Sequence, residues 1–229
     1  INGRGEILRF GGEVMKNVAG YDLSRLMVGA LGSLGVLLDV SMKVLPAPQQ
    51  EITLVQERKP ADALDVMNRW AGQPLPLSAA CYDGLLVHVR LSGAPGALQT
   101  ARALIGGDLL PQDADFWGSV REQRHSFFAS DLPLWRFSLP PGAPPLDLPG
   151  KEFVDWGGAQ RWRLAALQPD IARRSAEQAG GHASLFRRGD RQGEVFHPLT
   201  QPLETLHRNL KRALDPQGIL NPGRLYADL

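Results

Sequence analysis

Ala79-Ala80-Cys81-Tyr82-Asp83-Gly84-Leu85-Leu86-Val87-His88-Val89-Arg90-Leu91 reads as two strands, Ala79–Tyr82 and Leu85–Leu91, joined by the turn pair Asp83-Gly84. Asp-Gly suits the left-handed backbone of a tight hairpin, and the flanking apolar residues suit strands. Upstream lie a strand, Ile52–Val55, and a helix, Ala61–Trp70, with Leu64, Met67 and Trp70 on one side. Downstream, Pro95–Ile105 sets Ala97, Leu98, Ala101, Leu104 and Ile105 at helical spacing. The order β-α-β-β-α predicts a split βαβ, ferredoxin-like arrangement.

Beyond this core a helix is expected at Asp113–His125, then strands at Leu134–Leu139, Glu152–Asp155 and Arg161–Ala166. Pro140–Pro149 holds too many prolines for regular structure. A helix at Asp170–Gln178, a strand at His182–Phe186 and a helix at Leu203–Leu214 follow, the last with Leu203, Leu206, Leu210 and Leu214 along one face. Towards the N-terminus, Glu6–Phe10 reads as a strand, Gly11-Gly12 as a turn, and Asp22 as the cap of a helix over Leu23–Val28. In Val36–Leu45, apolar Val36, Leu38, Val40, Met42 and Val44 alternate with polar Asp39, Ser41 and Lys43, the period of a half-buried strand. Pro46-Ala47-Pro48 stops it, because proline cannot donate to a ladder. That break divides the chain into 1–46 and 47–229. The fold class is α+β with a mostly antiparallel sheet.

A hydrophobic fraction of 43% with 21% charged residues is that of an ordinary globular protein. The net charge of +1 comes from Lys and Arg spread along the chain, which argues against a nucleic-acid partner. The single cysteine, Cys81, excludes an internal disulfide framework and fits a reducing, cytoplasmic compartment. The nearly apolar stretch Leu26–Leu38 falls short of the roughly 20 residues a membrane span needs. The opening Ile1-Asn2-Gly3-Arg4 has neither Met nor a leader pattern, so the numbering is expected to start inside a longer product.

One segment carries the strongest chemical signal: Lys16–Leu23 followed by Gly29-Ala30-Leu31-Gly32-Ser33-Leu34-Gly35-Val36-Leu37. Three glycines spaced by three let backbone approach a ligand, and amides turned to one side can cradle phosphate or an adenine edge. The same spacing also makes a tight packing turn, and the residues alone leave both readings open. It is not the dinucleotide fingerprint, whose strand comes first.

The run Gly11–Pro46 resembles the end of the FAD-binding (PCMH-type) domain of the vanillyl-alcohol oxidase, or FAD-linked oxidase, superfamily. There a Gly-Tyr-Asp-Leu segment leads into a Gly-Ser-x-Gly-x-Leu-Gly loop. Asp215–Arg224 is similar to that superfamily's Asp-Pro-x-Gly-Ile-Leu-Asn-Pro-Gly-Lys ending, and Phe10–Asp22 is similar to the FAD-binding subunits of bacterial glycolate oxidases. The resemblance implies the C-terminal portion of such a protein: 1–46 as the end of the FAD-binding domain, and 47–229 as the C-terminal cap. It implies FAD as cofactor, held through Leu31, Gly32, Ser33, Leu34, Gly35, Val36 and Leu37, largely by backbone, with Asn221 towards the flavin. Ala30 stands where serine is commonest, and Arg224 where lysine is usual. The superfamily's N-terminal phosphate loop has no counterpart in this sequence, so weak FAD binding by these residues alone is expected.

Relatives that oxidise 2-hydroxy acids carry spaced metal-binding histidines and a Glu-His-Gly segment. Here that segment is absent and His182, His197 and His207 are scattered, so no metal site is expected. The resemblance therefore assigns metal-assisted chemistry to a second flavoprotein subunit. An iron–sulfur subunit would carry the electrons, since one cysteine cannot hold a cluster. The substrate implied is glycolate, a small 2-hydroxy acid, and the location cytoplasmic or peripheral to the inner membrane through partners. Two alternatives remain: a self-sufficient FAD-dependent 2-hydroxy-acid or alcohol oxidoreductase, and a non-catalytic scaffold. No catalytic residue can be assigned; Arg136 is the one candidate for a substrate carboxylate, its alternative being a stem packed along Trp135. Trp156, Arg161, Trp162 and Arg163 read either as a partner surface or as an alternating strand, and Cys81 reads as a small core hydrophobe.

Overall fold

The computed structural model describes residues 1–10, 23–193 and 195–229. The chain forms two compact units, one from Ile1–Val44 with Pro198–Leu229 and one from Leu45–His197. The first break falls beside Pro46; the last 32 residues group with the N-terminal ones rather than with the sheet.

The larger unit is an antiparallel sheet crossed by helices. Its first half runs β1 (Gln50–Glu57), α2 (Pro60–Ala71), β2 (Leu77–Tyr82), β3 (Leu86–Gly93), α3 (Pro95–Ile105) and β4 (Asp108–Leu109). These strands lie in the order β4-β1-β3-β2, the split βαβ pattern expected from the hairpin. Proline at the start of both helices presets the first-turn φ and gives up an amide with no acceptor there. The second half runs α4 (Asp113–Arg121), β5 (Leu134–Ser138), β6 (Lys151–Asp155), β7 (Gln160–Leu164), α5 (Pro169–Gln178) and β8 (His182–Arg187). It continues the sheet as β6-β7-β5-β8, with β2 joined to β6 at Tyr82 and Val154.

Register assigns the two faces. Leu54, Val89, Ala80, Tyr82 and Val87 pack with Leu64, Met67, Trp70, Leu98 and Ala101 of α2 and α3. Trp135, Phe137, Ala183 and Leu185 continue this face under Ala172 and Ala176 of α5. The opposite face holds Cys81, Phe153, Trp162 and Leu164 with Val120, Phe127 and Phe128. On this face His88 donates from Nε2 to Asp83 at 2.9 Å and stacks on Phe116 at 4.0 Å, tying the hairpin turn to α4.

Several expectations are corrected. Glu6–Phe10 and Val36–Leu45 make no strand. The alternation in 36–45 is real, but among the described residues no neighbouring strand supplies a ladder, and both sets of side chains are exposed, the apolar ones from 54% at Val36 to 84% at Leu45. Helix α4 stops at Arg121, since Gln123 takes a left-handed φ of 54°. The stem of Arg136 does not lie along Trp135, which points to the other face of the sheet. Arg161 and Arg163 form no surface: both are buried, donating to the carbonyls of Ala143, Pro144, Leu146 and Leu148 and so pinning the proline-rich segment. The turn Gly11-Gly12, the motif Phe10–Asp22 beyond its first residue and the Asp22 cap lie outside the described residues.

Candidate functional site

In the smaller unit, helix α1 (Leu23–Met27) leads into the glycine loop, and Gly29, Leu31 and Gly32 take φ of 81°, 51° and 76°. These left-handed residues fold the loop back on itself. The amide of Ser33 donates to Ala30 O at 2.9 Å, as does its hydroxyl at 2.7 Å. Ala30 and Leu34 are buried with Leu214, so the loop rests on apolar contacts. Val36 exchanges two backbone hydrogen bonds with Ile1, fixing the exit from the loop. The amides of Leu31, Gly32, Leu34 and Gly35 have no acceptor among the described residues. Backbone amides left without an acceptor in a glycine-rich loop suit an anion or an adenine edge.

The C-terminal ending meets this loop. Helix α6 (Gln201–Leu214) delivers Lys211, whose Nζ donates to Ser33 O at 2.8 Å and to Asp215 at 2.7 Å. Asp215 also accepts from the amides of Ile219 and Leu220, which shapes the following turn. Burial pushes its carboxyl up, but Lys211 and these two amides win, holding it below the ordinary carboxylate range. The turn presents Asn221 at a φ of 40°, and its Nδ2 donates to Leu31 O at 2.7 Å. A Cβ on Gly32 would stand 2.8 Å from that Nδ2, so the crossing requires glycine. Two motifs nearly 200 residues apart thus form one surface. Ser33 and Leu34 face inward, so any ligand contact from them is through backbone; Leu31, Val36 and Leu37 face outward.

In the larger unit, Arg136 lies on the sheet face opposite the α2, α3 and α5 helices. Its Nε donates to Oε1 of Gln160 at 2.8 Å, and its guanidinium lies 5.7 Å from the centroid of Trp156. His182 and His197, far apart in sequence, have ring centroids 6.1 Å apart, and His197 pairs with Glu177 at 3.3 Å. In the smaller unit the His207 ring meets Tyr226 edge-on, with centroids 6.2 Å apart. Among the described residues no three His, Cys, Asp or Glu side chains are grouped to hold a metal ion. Cys81 is fully buried; burial, with Asp155 and Asp83 nearby, pushes its thiol well above the ordinary range. Among the described residues no helix is long and apolar enough to cross a membrane.

Two positioning residues escape a reading of the sequence. Lys211 and Asp215 stand four apart, which on a helix signals an ion pair, but nothing local points to Ser33. Gln160 carries no signal, because its contact with Arg136 depends on the β5–β7 register.

Residues 199–225 match the family model of the FAD linked oxidases, C-terminal domain. Along its whole length the chain is 49% identical to "Glycolate oxidase subunit GlcE" of Escherichia coli (strain K12), and it spans 64% of that relative. A stretch of 115 residues, 49% of this chain and 24% of the relative, is 44% identical to "Glycolate oxidase subunit GlcD" of Bacillus subtilis (strain 168). A further 51-residue match, 22% of this chain and 11% of the relative, is 43% identical to "D-lactate dehydrogenase" of Anaerostipes hadrus.

Proposed function

From the premise that this chain is a relative of the FAD-linked oxidases, we propose that it is part of the FAD-binding subunit of a glycolate oxidase. The observation that carries this reading is the Asn221–Leu31 hydrogen bond, which joins the glycine loop to the ending shared with FAD linked oxidases. The residues fit the cofactor: the amides of Leu31, Gly32, Leu34 and Gly35 have no acceptor among the described residues, and the carbonyls of Leu31 and Ser33 are engaged by Asn221 and Lys211. Leu31–Leu37 and Asn221 would hold FAD, mostly by backbone. Bound FAD supplies the acceptor for a hydride from C2 of glycolate, which becomes glyoxylate.

The chain's own residues bind and orient; no proton-transfer base is assigned to them. The likeness to two differently named glycolate oxidase subunits supports a multi-subunit enzyme. In it a second flavoprotein subunit and an iron–sulfur subunit are the partners, and membrane association is through them. The short D-lactate dehydrogenase match keeps a self-sufficient hydroxy-acid dehydrogenase as the competing reading.

The test is to purify the full-length protein with and without its partner subunits and follow glycolate-dependent reduction of a dye. Retained FAD, with turnover by the complex only, is expected. Gly32→Val, which crowds Asn221 and strains a left-handed φ, is expected to lose FAD while α-helical circular dichroism persists. Turnover by the isolated full-length protein would favour the competing reading, and a protein carrying no FAD in either preparation would sink both.

A further inference from the structure

Two backbone hydrogen bonds join Ile1 and Val36: Ile1 N donates to Val36 O at 2.7 Å, and Val36 N donates to Ile1 O at 2.9 Å. Exchange of both bonds within one pair of residues belongs to antiparallel strands, since parallel strands spread theirs over different residues. Ile1–Val36 is therefore a ladder rung of fixed direction. The next residue, Asn2, turns its amide to Glu6 O at 3.1 Å. Its side-chain Oδ1 takes the amides of Arg4 and Glu6 at 3.0 Å each, closing a tight turn over residues 2–6 with Gly5 at a φ of 78°. Ile1 and Asn2 thus bond to different neighbours in succession, as consecutive residues of a strand paired on both edges do.

Past Val36 the rung has no successor among the described residues. Leu38, Val40, Met42 and Val44 stand 55–80% exposed along one side of the segment. From Val36 to Val44 there is no Gly, Pro or positive φ to keep the backbone out of a sheet. In an antiparallel ladder each step forward from Val36 opposes one step back from Ile1. The strand that continues this rung is therefore made of residues that precede Ile1. The chain matches 64% of the glycolate oxidase subunit it is similar to throughout, so that relative holds further sequence outside the match. Covalent attachment at Ile1 gives such a segment an effective concentration of about a millimolar beside 36–44, well above that of a second copy in dilute solution.

We infer that the residues immediately preceding Ile1 in the full-length protein form an antiparallel strand along Leu37–Val44, in the register set by Ile1–Val36. The occupant of the exposed segment is thus the same polypeptide. Val36 turns its backbone groups to this partner, so Leu38, Val40, Met42 and Val44 do the same, and the residues between them turn theirs away. The ladder begins where the glycine loop ends, and so it fixes that end of the loop. The inference rests on backbone geometry and not on the flavin reading.

Counting five residues forward from Val36 reaches Ser41, so the fifth residue before Ile1 falls opposite it. That pair is of the non-hydrogen-bonded kind, with Cα atoms about 4.5 Å apart, within the reach of a disulfide. In the full-length protein, Ser41→Cys combined with a cysteine at that fifth position is expected to close an intramolecular disulfide under mild oxidation. Ser41→Cys with a cysteine at the fourth position, whose side chain leaves the other face, is expected to stay reduced. Cys81 is fully buried and does not compete. Hydrogen exchange of the unaltered full-length protein is a second measurement that needs no variant. The amides of Leu38, Val40, Met42 and Val44 are expected to exchange at least about a hundredfold more slowly than in a free peptide. Free-peptide exchange at these four amides overturns the inference, as does a fifth-position pair that stays reduced in a folded protein. A disulfide that links two chains overturns it too, and assigns the segment to a second copy. FAD content of the same samples, read from their absorbance, reports on the flavin reading separately: a closed disulfide in flavin-free protein would leave the strand standing and count against that reading.

Discussion

Lys211 and Asp215 show how a single ion pair can hold the glycine loop in shape. The Asp215 side chain is fully enclosed and Lys211 nearly so, and the lysine also reaches the carbonyls of Ser33 and Leu220. Removing one member of such a pair leaves the other charge buried without a partner. Lys211→Met is therefore expected to destabilise the protein by about 3 kcal/mol in denaturant unfolding. A loss below about 1 kcal/mol would show that water reaches Asp215. Asp83 makes a second, independent case. Burial pushes its carboxyl up, but His88 and the amides of Leu86 and Leu85 overcome that and hold it at about 2 against 3.8. A carboxyl depressed on folding stabilises above its unfolded value, and that contribution vanishes as pH falls through the folded one. Its size is about 2 kcal/mol. Asp83→Asn is expected to flatten the fall of stability between about pH 4 and 2; an unchanged slope in acid unfolding would refute the assignment. At this scale the sequence is a partial guide. Asn221 and Leu31–Leu37 could be singled out by resemblance, and Arg136 by its chemistry. The partners that make Arg136 and the loop specific, Gln160 and Lys211, depend on strand register and helix docking that no local pattern records.

The hairpin around Asp83-Gly84 and its flanking helices were legible because each signal is local: a turn pair, a 3.6-residue apolar period, a proline at a first turn. β4 was not, since its two residues pair only because β1 offers an edge. Val36–Leu45 fails in the opposite direction. Its alternation encodes a half-buried strand, yet a ladder needs a neighbour, and among the described residues only Ile1 pairs with the segment, at Val36. Val40, Met42 and Val44 stand 67–80% exposed in a row of alternate positions. An extended segment with unpaired backbone and one apolar side is a template for pairing with another chain. Residues 1–229 are accordingly expected to self-associate at micromolar concentration, and Met42→Lys with Val40→Lys to reduce that association without altering thermal unfolding of the Leu45–His197 unit. Size-exclusion chromatography with light scattering decides it; a monodisperse monomer of the unaltered chain would show that the segment is not sticky.

For the molecule as a whole, the division of labour follows from what each unit presents. The smaller unit offers backbone: amides without an acceptor among the described residues, in a loop tied to Asn221 and Lys211, with the Lys211 ammonium already committed to Asp215 and two carbonyls. The larger unit offers side chains on a sheet face, among them Arg136, whose Nε donates to the neutral Gln160. A pyrophosphate carries two negative charges, and its capture draws on several amides together with helix dipoles or free cations. The loop supplies amides but no uncommitted charge among the described residues, and the chain spans only 64% of the length of the glycolate oxidase subunit it is similar to throughout. Residues 1–229 are therefore expected to bind FAD more weakly than about 1 μM, a threshold near 8 kcal/mol of binding free energy. The full-length protein is expected to retain FAD through purification. Quenching of flavin fluorescence during titration measures the first and the absorbance spectrum the second. A sub-micromolar complex with residues 1–229 would mean that the loop and Asn221 alone make a sufficient cradle, and the weight now given to residues beyond them would have to move onto these amides.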